Sequence, residues 1–329
     1  MNANLPQTMR AWRVEQITEV GEMHLRDIPL PVPGEDQYLV RVEGAGLAFG
    51  DTLIVRGKYQ VKPALPFTPG SEVVGTIVQG LTGALTLGTR IVSASRQGGY
   101  AQYALVPCEG AIPIEVDIES SAALALLSNF PTSLYALRDV GRLQSNETLL
   151  VHAGAGGVGS AAVQLGRLMG ARVIATAGGP GKVQSCLDAG AHEAVDYFGA
   201  DWVDVLKKIA PAGFNVVFDP VGGSIGAQSL RCLAYGARYL IIGFAGGELT
   251  ALPANRLLLN NASGIGVLWG EVRKRDPNLA TRLAQEVFIF HRDKKIKLYP
   301  GRAYTFEDAR EALGALASRS SVGKLWLKI

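Results

Sequence analysis

Gly154, Gly156 and Gly159 stand at the spacing G-x-G-x-x-G inside "LLVHAGAGGVGSAAVQLGRLMGARVIATAGG", residues 149–179. An apolar run precedes them and a helical pattern follows, so the glycines fall where a strand turns into a helix. Backbone that bare can cradle a pyrophosphate. Gly154 is expected to permit the tight turn, Gly156 to let phosphate approach the main chain, and Gly159 to let helix and strand pack closely. The N–H groups at the helix start and the positive end of its dipole would hold the anion. The ligand this spacing implies is a dinucleotide.

The end of the next strand bears on which dinucleotide. A site that reads the ribose 2′-OH places Asp or Glu about 20 residues on. Here the segment is "TAGGPGK", Thr176 to Lys182, with Gly178 in it and no carboxylate before Asp188. An acid would repel a 2′-phosphate, whereas the nearby cation of Lys182 would accommodate one. The expected cofactor is therefore NADPH.

These residues need elements to hold them. From Glu147 the chain alternates apolar strands ("TLLVHAG", "ARVIATA", "EAVDYF", "FNVVFDPVG", "GARYLIIGFAG") with helical stretches. Strands joined by crossover helices make a parallel, doubly wound α/β domain. The first third differs: short Val- and Ile-rich runs such as "EVVGTIVQG" between Pro-Gly and Gly-Gly turns suggest a compact β-rich domain. Residues 117–141 read as helix interrupted at Pro131. The final "TFEDAREALGALASRSSVGKLWLKI" reads as helix and strand, which could extend the parallel sheet or return to the first domain.

Bulk properties exclude several classes. The 329 residues suffice for two domains; 48% are hydrophobic, 19% are charged, and the net charge is +3. This is a globular composition, not a disordered one. The densest basic cluster, Arg292, Lys294, Lys295 and Lys297, reads as a solvated face, and no basic stripe with interleaved aromatics suggests nucleic acid. No window of about 18 apolar residues suggests a membrane span, and "MNANLPQTMR" lacks the apolar core of a signal peptide. Cys108, Cys186 and Cys232 are few and scattered, which suggests reduced thiols in a cytoplasmic protein. His24, His152, His192 and His291 share no ligand spacing, and His152 reads as a core or turn histidine.

The segments "HAGAGGVG", "FTPGSEVVGTIV" and "GLAFGDTLIVRGKY" together resemble the medium-chain dehydrogenases/reductases. More narrowly they resemble the zinc-independent NADPH:quinone oxidoreductases, the group that includes ζ-crystallin. The likeness runs from about Arg10 to Ile329. It implies an α/β protein with a GroES-like β-rich catalytic domain (1–130 and 266–329), a Rossmann NADPH-binding domain (131–265) and a homodimer. Zinc-using relatives place a Cys just before the Asp of this motif and a His in the next loop. Those places hold Phe49 or Gly50 before Asp51, and Ser71, which cannot replace thiolate and imidazole. No metal is expected.

The resemblance also assigns residues. Tyr59, Phe49 and Asp51 are carried over to the catalytic side, where a tyrosine hydroxyl stays protonated at neutral pH and can donate to an acceptor. Asn129, Thr132, Ala155, Gly157, Val158, Lys182, Tyr197, Gly243, Phe244 and Arg319 are carried over to the cofactor. Ala48, Asn260, Leu268 and Trp269 are placed on the substrate side, Ala48 where relatives usually carry Asn. Without zinc to polarise an ordinary ketone, the expected acceptors are already electron-poor. They are a quinone or, alternatively, an enone, alkenal or enoyl-CoA; a weakly catalytic dinucleotide sensor is the third reading.

Overall fold

The structure is a computed structural model that describes residues 5–19, 21–59, 62–80, 84–95, 97–319 and 321–329. Two compact units divide the chain: Met1–Leu127 with Leu298–Ile329, and Ser128–Lys297.

The first unit begins with β1 (Thr8–Arg13) antiparallel to β2 (His24–Pro29). There follow β3 (Gln37–Gly46), the short helix α1 (Phe49–Ile54), β4 (Glu72–Gly80), β5 (Arg90–Ala94), β6 (Tyr103–Pro107) and β7 (Ile112–Pro113). β3, β4, β5 and β7 pair antiparallel in that order, and β6 pairs with β3. Val40, Val42, Val73, Ile77, Ile91 and Val106 from these strands form one buried cluster, which explains the Val/Ile-rich composition of the segment.

Helix α2 (Ser120–Leu134) crosses the border between the units. It runs straight through Pro131, so the expected interruption there is corrected. Proline withdraws one N–H from the ladder, and hydroxyls bond neighbouring carbonyls: Thr132 Oγ1 donates to Ser128 O (2.7 Å) and Ser133 Oγ to Asn129 O (2.9 Å). The irregularity comes one turn later, as a π-helical turn at Tyr135–Val140.

In the second unit, six parallel strands alternate with helices. They are β8 (Thr148–Val151), α3 (Gly157–Leu168), β9 (Arg172–Ala177), α4 (Pro180–Asp188), β10 (Glu193–Asp196), α5 (Trp202–Ile209), β11 (Phe214–Asp219), α6 (Gly223–Ser229), β12 (Leu233–Ile241), α7 (Ala254–Leu259) and β13 (Ser263–Gly266). Helices α8 (Trp269–Arg275) and α9 (Pro277–Arg292) follow. The spatial order is β10-β9-β8-β11-β12-β13. Leu149, Leu150, Val151, Val173, Ile174, Val216 and Val217 are fully buried, as expected for strands covered on both faces. The order reverses direction between β8 and β11, and a crevice at such a switch point is where ligands bind in open α/β sheets.

The chain then returns through β14 (Pro300–Thr305), α10 (Ala309–Ala317) and β15 (Lys324–Lys328). β15 inserts between β14 and β3, which settles the open alternative for the last stretch: it completes the first unit. Trp12, Val14, Leu47 and Phe67 pack there with Phe306, Leu313, Leu325 and Leu327, and Trp12 Nε1 donates to Phe306 O at 2.7 Å.

The expected border at residue 266 is also corrected. Residues 266–297 pack with the second unit, because Arg138 bridges to Glu286 (2.8 Å) and Gln164 exchanges two hydrogen bonds with the Lys297 backbone. Among the described residues no helix is long and apolar enough to cross a membrane.

Candidate active site

The glycine turn sits between β8 and α3, at the carboxyl edge of the parallel sheet. The residue in the left-handed region is Ala153, with φ 49°, and not Gly154. Gly154 is required for another reason: a Cβ there would lie 2.8 Å from Ala175 Cβ and 2.9 Å from Cys186 Sγ. The turn role given to Gly154 is therefore corrected to close packing against β9 and α4. At Gly159 a Cβ would overlap the Ala153 carbonyl oxygen, so this glycine lets the start of the helix pack against the turn.

Gly156 is the N-cap of α3, and no side chain caps that end. The nearest atom to a Cβ at Gly156 is Ala153 O, at 3.2 Å, and nothing else lies within 4 Å. The start of α3 thus presents the first-turn N–H groups of Gly157, Val158 and Gly159 beside bare backbone. Asn129 reaches this corner from α2, its Nδ2 2.6 Å from where a Gly157 Cβ would stand. Ser133 Oγ ties α2 to α3 by donating to Val158 O at 2.9 Å. Thr132 is buried, with its hydroxyl turned to Ser128 O.

A second corner forms where β9 and β10 end. Gly179 (φ 90°) is the N-cap of α4, and Lys182 lies in the first turn of that helix. Tyr197 and Phe198 meet edge to face at 5.2 Å, and Gly178 fits beneath them because a Cβ there would be 2.7 Å from the Phe198 ring. The fold adds a carboxylate that linear spacing conceals. Asp196 Oδ1 accepts from Gly179 N–H (3.0 Å) and Phe198 N–H (2.9 Å), and those two bonds hold its carboxyl below the usual carboxylate range.

A third corner follows β11 and β12. Asp219 is fully buried; its Oδ1 accepts from the N–H groups of Val221 (2.8 Å) and Gly222 (2.9 Å), and its Oδ2 accepts from Tyr239 and from Thr250 Oγ1 (3.5 Å). The Tyr239 hydroxyl is raised far above its ordinary range by burial and by this carboxylate. Backbone bonds from Ala245 to Pro220 and from Gly246 to Val221 zip the two loops together, and Gly243 and Phe244 lie in the second of them. Sequence reasoning misses Asp219, Tyr239, Thr250 and Ser133 because each also bonds a residue 20 or more positions away along the chain.

Leu268 and Trp269 follow the carboxyl end of β13. Leu268 is exposed, whereas Trp269 is buried and stacks obliquely on Tyr135 at 5.8 Å. Asn260 lies elsewhere: it precedes β13, and its carbonyl accepts from Gly236 at the start of β12. That is the amino edge of the sheet, so the substrate assignment of Asn260 is corrected. The strands are parallel, and a residue just before one of them falls opposite the ligand edge.

In the first unit, Ala48 and Phe49 open α1. Asp51 is 1% exposed; its Oδ2 accepts from Ala48 N–H (2.9 Å) and Tyr100 O–H (3.0 Å). A carboxylate so enclosed does not touch an acceptor, and its placement among the catalytic residues is corrected. Tyr59 is half-buried, its ring 3.5 Å from where a Gly50 Cβ would stand. Arg319 follows α10 in the left-handed region, with φ 58°.

Residues 34–116 match the family described as the alcohol dehydrogenase GroES-like domain, and residues 157–286 match the family described as zinc-binding dehydrogenase. The quinone oxidoreductase-like protein 2 of Bos taurus is 33% identical over 307 residues, 92% of this chain and 87% of that one. This chain is a medium-chain dehydrogenase/reductase. Within the superfamily, a mycobacterial protein solved in complex with NADPH aligns with a TM-score of 0.91 at 30% identity, covering 98% of this chain and all of that one. The quinone oxidoreductase of Thermus thermophilus, also solved with NADPH, aligns at 0.84 and 31% identity, with 98% and 100% covered.

Among the described residues no three His, Cys, Asp or Glu converge. His152 is buried with Nδ1 against Thr176 Oγ1 (2.8 Å), and His192 pairs with Arg167. Burial pushes the Cys186 thiol up to about 12 and the Cys232 thiol up to about 11.

Proposed function

We propose that this oxidoreductase uses NADPH to reduce a quinone without a metal. The observation that carries the reading is the start of α3: an uncapped helix terminus beside an open Gly156, at the switch point of a parallel sheet. Two related proteins of known structure that align over nearly the whole chain were solved with NADPH, and this supports the choice of nucleotide. Gly157, Val158 and Gly159 would hold the pyrophosphate through their N–H groups, and Lys182 with Tyr197 would hold the 2′-phosphate. Gly243 and Phe244 would border the nicotinamide, and Asn129 and Thr132 would approach it from α2.

When bound, NADPH supplies the hydride. The protein's own contribution is alignment and a place for negative charge. Tyr59 would donate its O–H to an acceptor oxygen as charge gathers there, and Phe49 and Ala48 would keep the acceptor's surroundings apolar. The three cysteines are unbridged, in keeping with a cytoplasmic enzyme. We also assign a homodimer. β13 is an edge strand with Ser263, Gly264 and Gly266 exposed, α7 buries no residue, and Leu258 and Leu259 are 81% and 73% exposed. An edge without Lys, Pro or bulge invites pairing, and antiparallel pairing with its own copy would be isologous.

The test is NADPH oxidation followed at about 340 nm by the purified protein, with 1,4-benzoquinone and 9,10-phenanthrenequinone in one set and 2-alkenals, enones and crotonyl-CoA in another. Turnover on quinones supports the proposal. Turnover confined to the alkenes moves it to C=C reduction, and NADPH binding without turnover on either set replaces it with a sensor.

A further inference from the structure

Behind α1 the first unit buries four groups that can carry charge or protons. Asp51 (1% exposed) is bonded to Tyr100 (0%), and a close ion pair joins Lys324 Nζ to Glu72 Oε2 at 2.5 Å, both residues nearly sealed. They come from four places: α1, the segment before β6, β15 and β4. The space for the pair exists because β3 passes with Gly46, where a Cβ would overlap Glu72 and lie 3.0 Å from Lys324 Cε. α10 meets this region with apolar Ala309, Ala312 and Leu313.

The ammonium of Lys324 lies against Glu72, and among the described residues the donors bonded to Asp51 are the neutral Ala48 N–H and Tyr100 O–H. Asp51 is thus the group on which a proton settles. Burial pushes it up to about 6; the Ala48 N–H opposes this, Glu72 adds to it, and Tyr100 and Lys324 oppose it.

Asp51 is also joined to Tyr59 through short steps. Its side chain bonds the N-cap of α1, and its carbonyl accepts from Val55 N–H at the helix end (3.1 Å). The chain then folds back, with Gly57 N–H donating to Ile54 O (2.9 Å) and Lys58 N–H to Leu53 O (2.8 Å), and delivers the Tyr59 ring against Gly50. A charged acceptor holds its donors more strongly than a neutral one.

We propose that Asp51, backed by Tyr100 and the Glu72–Lys324 pair, is a buried proton-binding group that positions Tyr59 through the Ala48–Lys58 turn. The ionised form holds the turn and the protonated form releases it. The proposal rests on the acceptor-orienting role of Tyr59 only for its catalytic consequence.

The test places 3-fluorotyrosine at position 59 and follows its 19F resonance from about pH 4.5 to about pH 7.5. A titration near pH 6 is expected, absent in Asp51→Asn. Tyr100→Phe removes a donor that favours the carboxylate, so the midpoint rises by about 0.5–1 unit; Glu72→Gln removes a like charge, so it falls. A resonance that does not titrate in the folded protein, or that titrates unchanged in Asp51→Asn, overturns the proposal. Should Asp51→Asn not fold, equal midpoints in the wild type and Tyr100→Phe overturn it. These readouts need no turnover, so they stand apart from the quinone assignment. In the assay, kcat falls below the same midpoint while the KM for NADPH stays flat; a KM for NADPH that tracks the titration would contradict a role confined to Tyr59.

Discussion

Asp51 also links acidity to stability. Its folded-state value of about 6 lies above the ordinary 3.8, so the folded protein binds this proton more tightly than the unfolded chain. The stability it contributes is full below the unfolded value and is lost as pH rises through about 6. Between about pH 4 and about pH 7 this amounts to roughly 2–3 kcal/mol. Asp51→Asn removes that dependence, so urea denaturation at the two ends of the range should show the variant gaining on the wild type toward neutral pH. At the other corner, Lys182→Ala should weaken NADPH binding by roughly tenfold or more and NADH binding little, read by fluorescence titration. Asp196→Asn, which removes a negative charge beside the same turn, should shift the preference further toward NADPH. Lys182 is legible because a cation three positions into a helix after a strand is a linear pattern. Asp196 is not, because it comes from the neighbouring strand and only the parallel β9–β10 register brings it there.

Elements differ in how much of their reason lies nearby in the chain. The alternation of strand and helix from β8 to β12 can be read directly, since buried parallel strands are continuous apolar runs. β13 cannot: "SGIG" carries little apolar content, and only pairing with β12 makes it a strand. α2 is misread at Pro131 because the helix carries the proline within Ser120–Leu134 and breaks its regular ladder only at the π-helical turn Tyr135–Val140. In the glycine turn, the spacing gives Gly154 a turn role that Ala153 takes instead, since packing of Gly154 against Ala175 and Cys186 cannot be seen from a motif. Two substitutions separate packing from ligand approach. Gly159→Ala drives a methyl into the Ala153 carbonyl and should cost about 3 kcal/mol, visible as a lowered Tm. Gly156→Val, whose Cβ would meet the Ala153 carbonyl oxygen at 3.2 Å rather than overlap it, should lower Tm less than Gly159→Ala and lower NADPH affinity about a hundredfold or more, since phosphate must approach bare backbone there.

At the scale of the whole molecule, the exposed face of α7 and β13 predicts assembly. Leu258→Glu with Leu259→Glu should convert a dimer to a monomer in sedimentation velocity without changing the circular dichroism. A wild type that sediments as a monomer would refute the homodimer. The return of the chain to the first unit has a different consequence, one of timing. β15 lies between β14 and β3, yet the second unit is synthesised in between. At about 5–20 residues per second, the ribosome takes roughly 10–35 s to cross that interval. Through it β3 keeps an open edge, and Trp12, Val14 and Phe67 await Phe306 and Leu325. The apolar faces of the nascent N-terminal segment thus stay without their C-terminal partners until Leu298–Ile329 emerges.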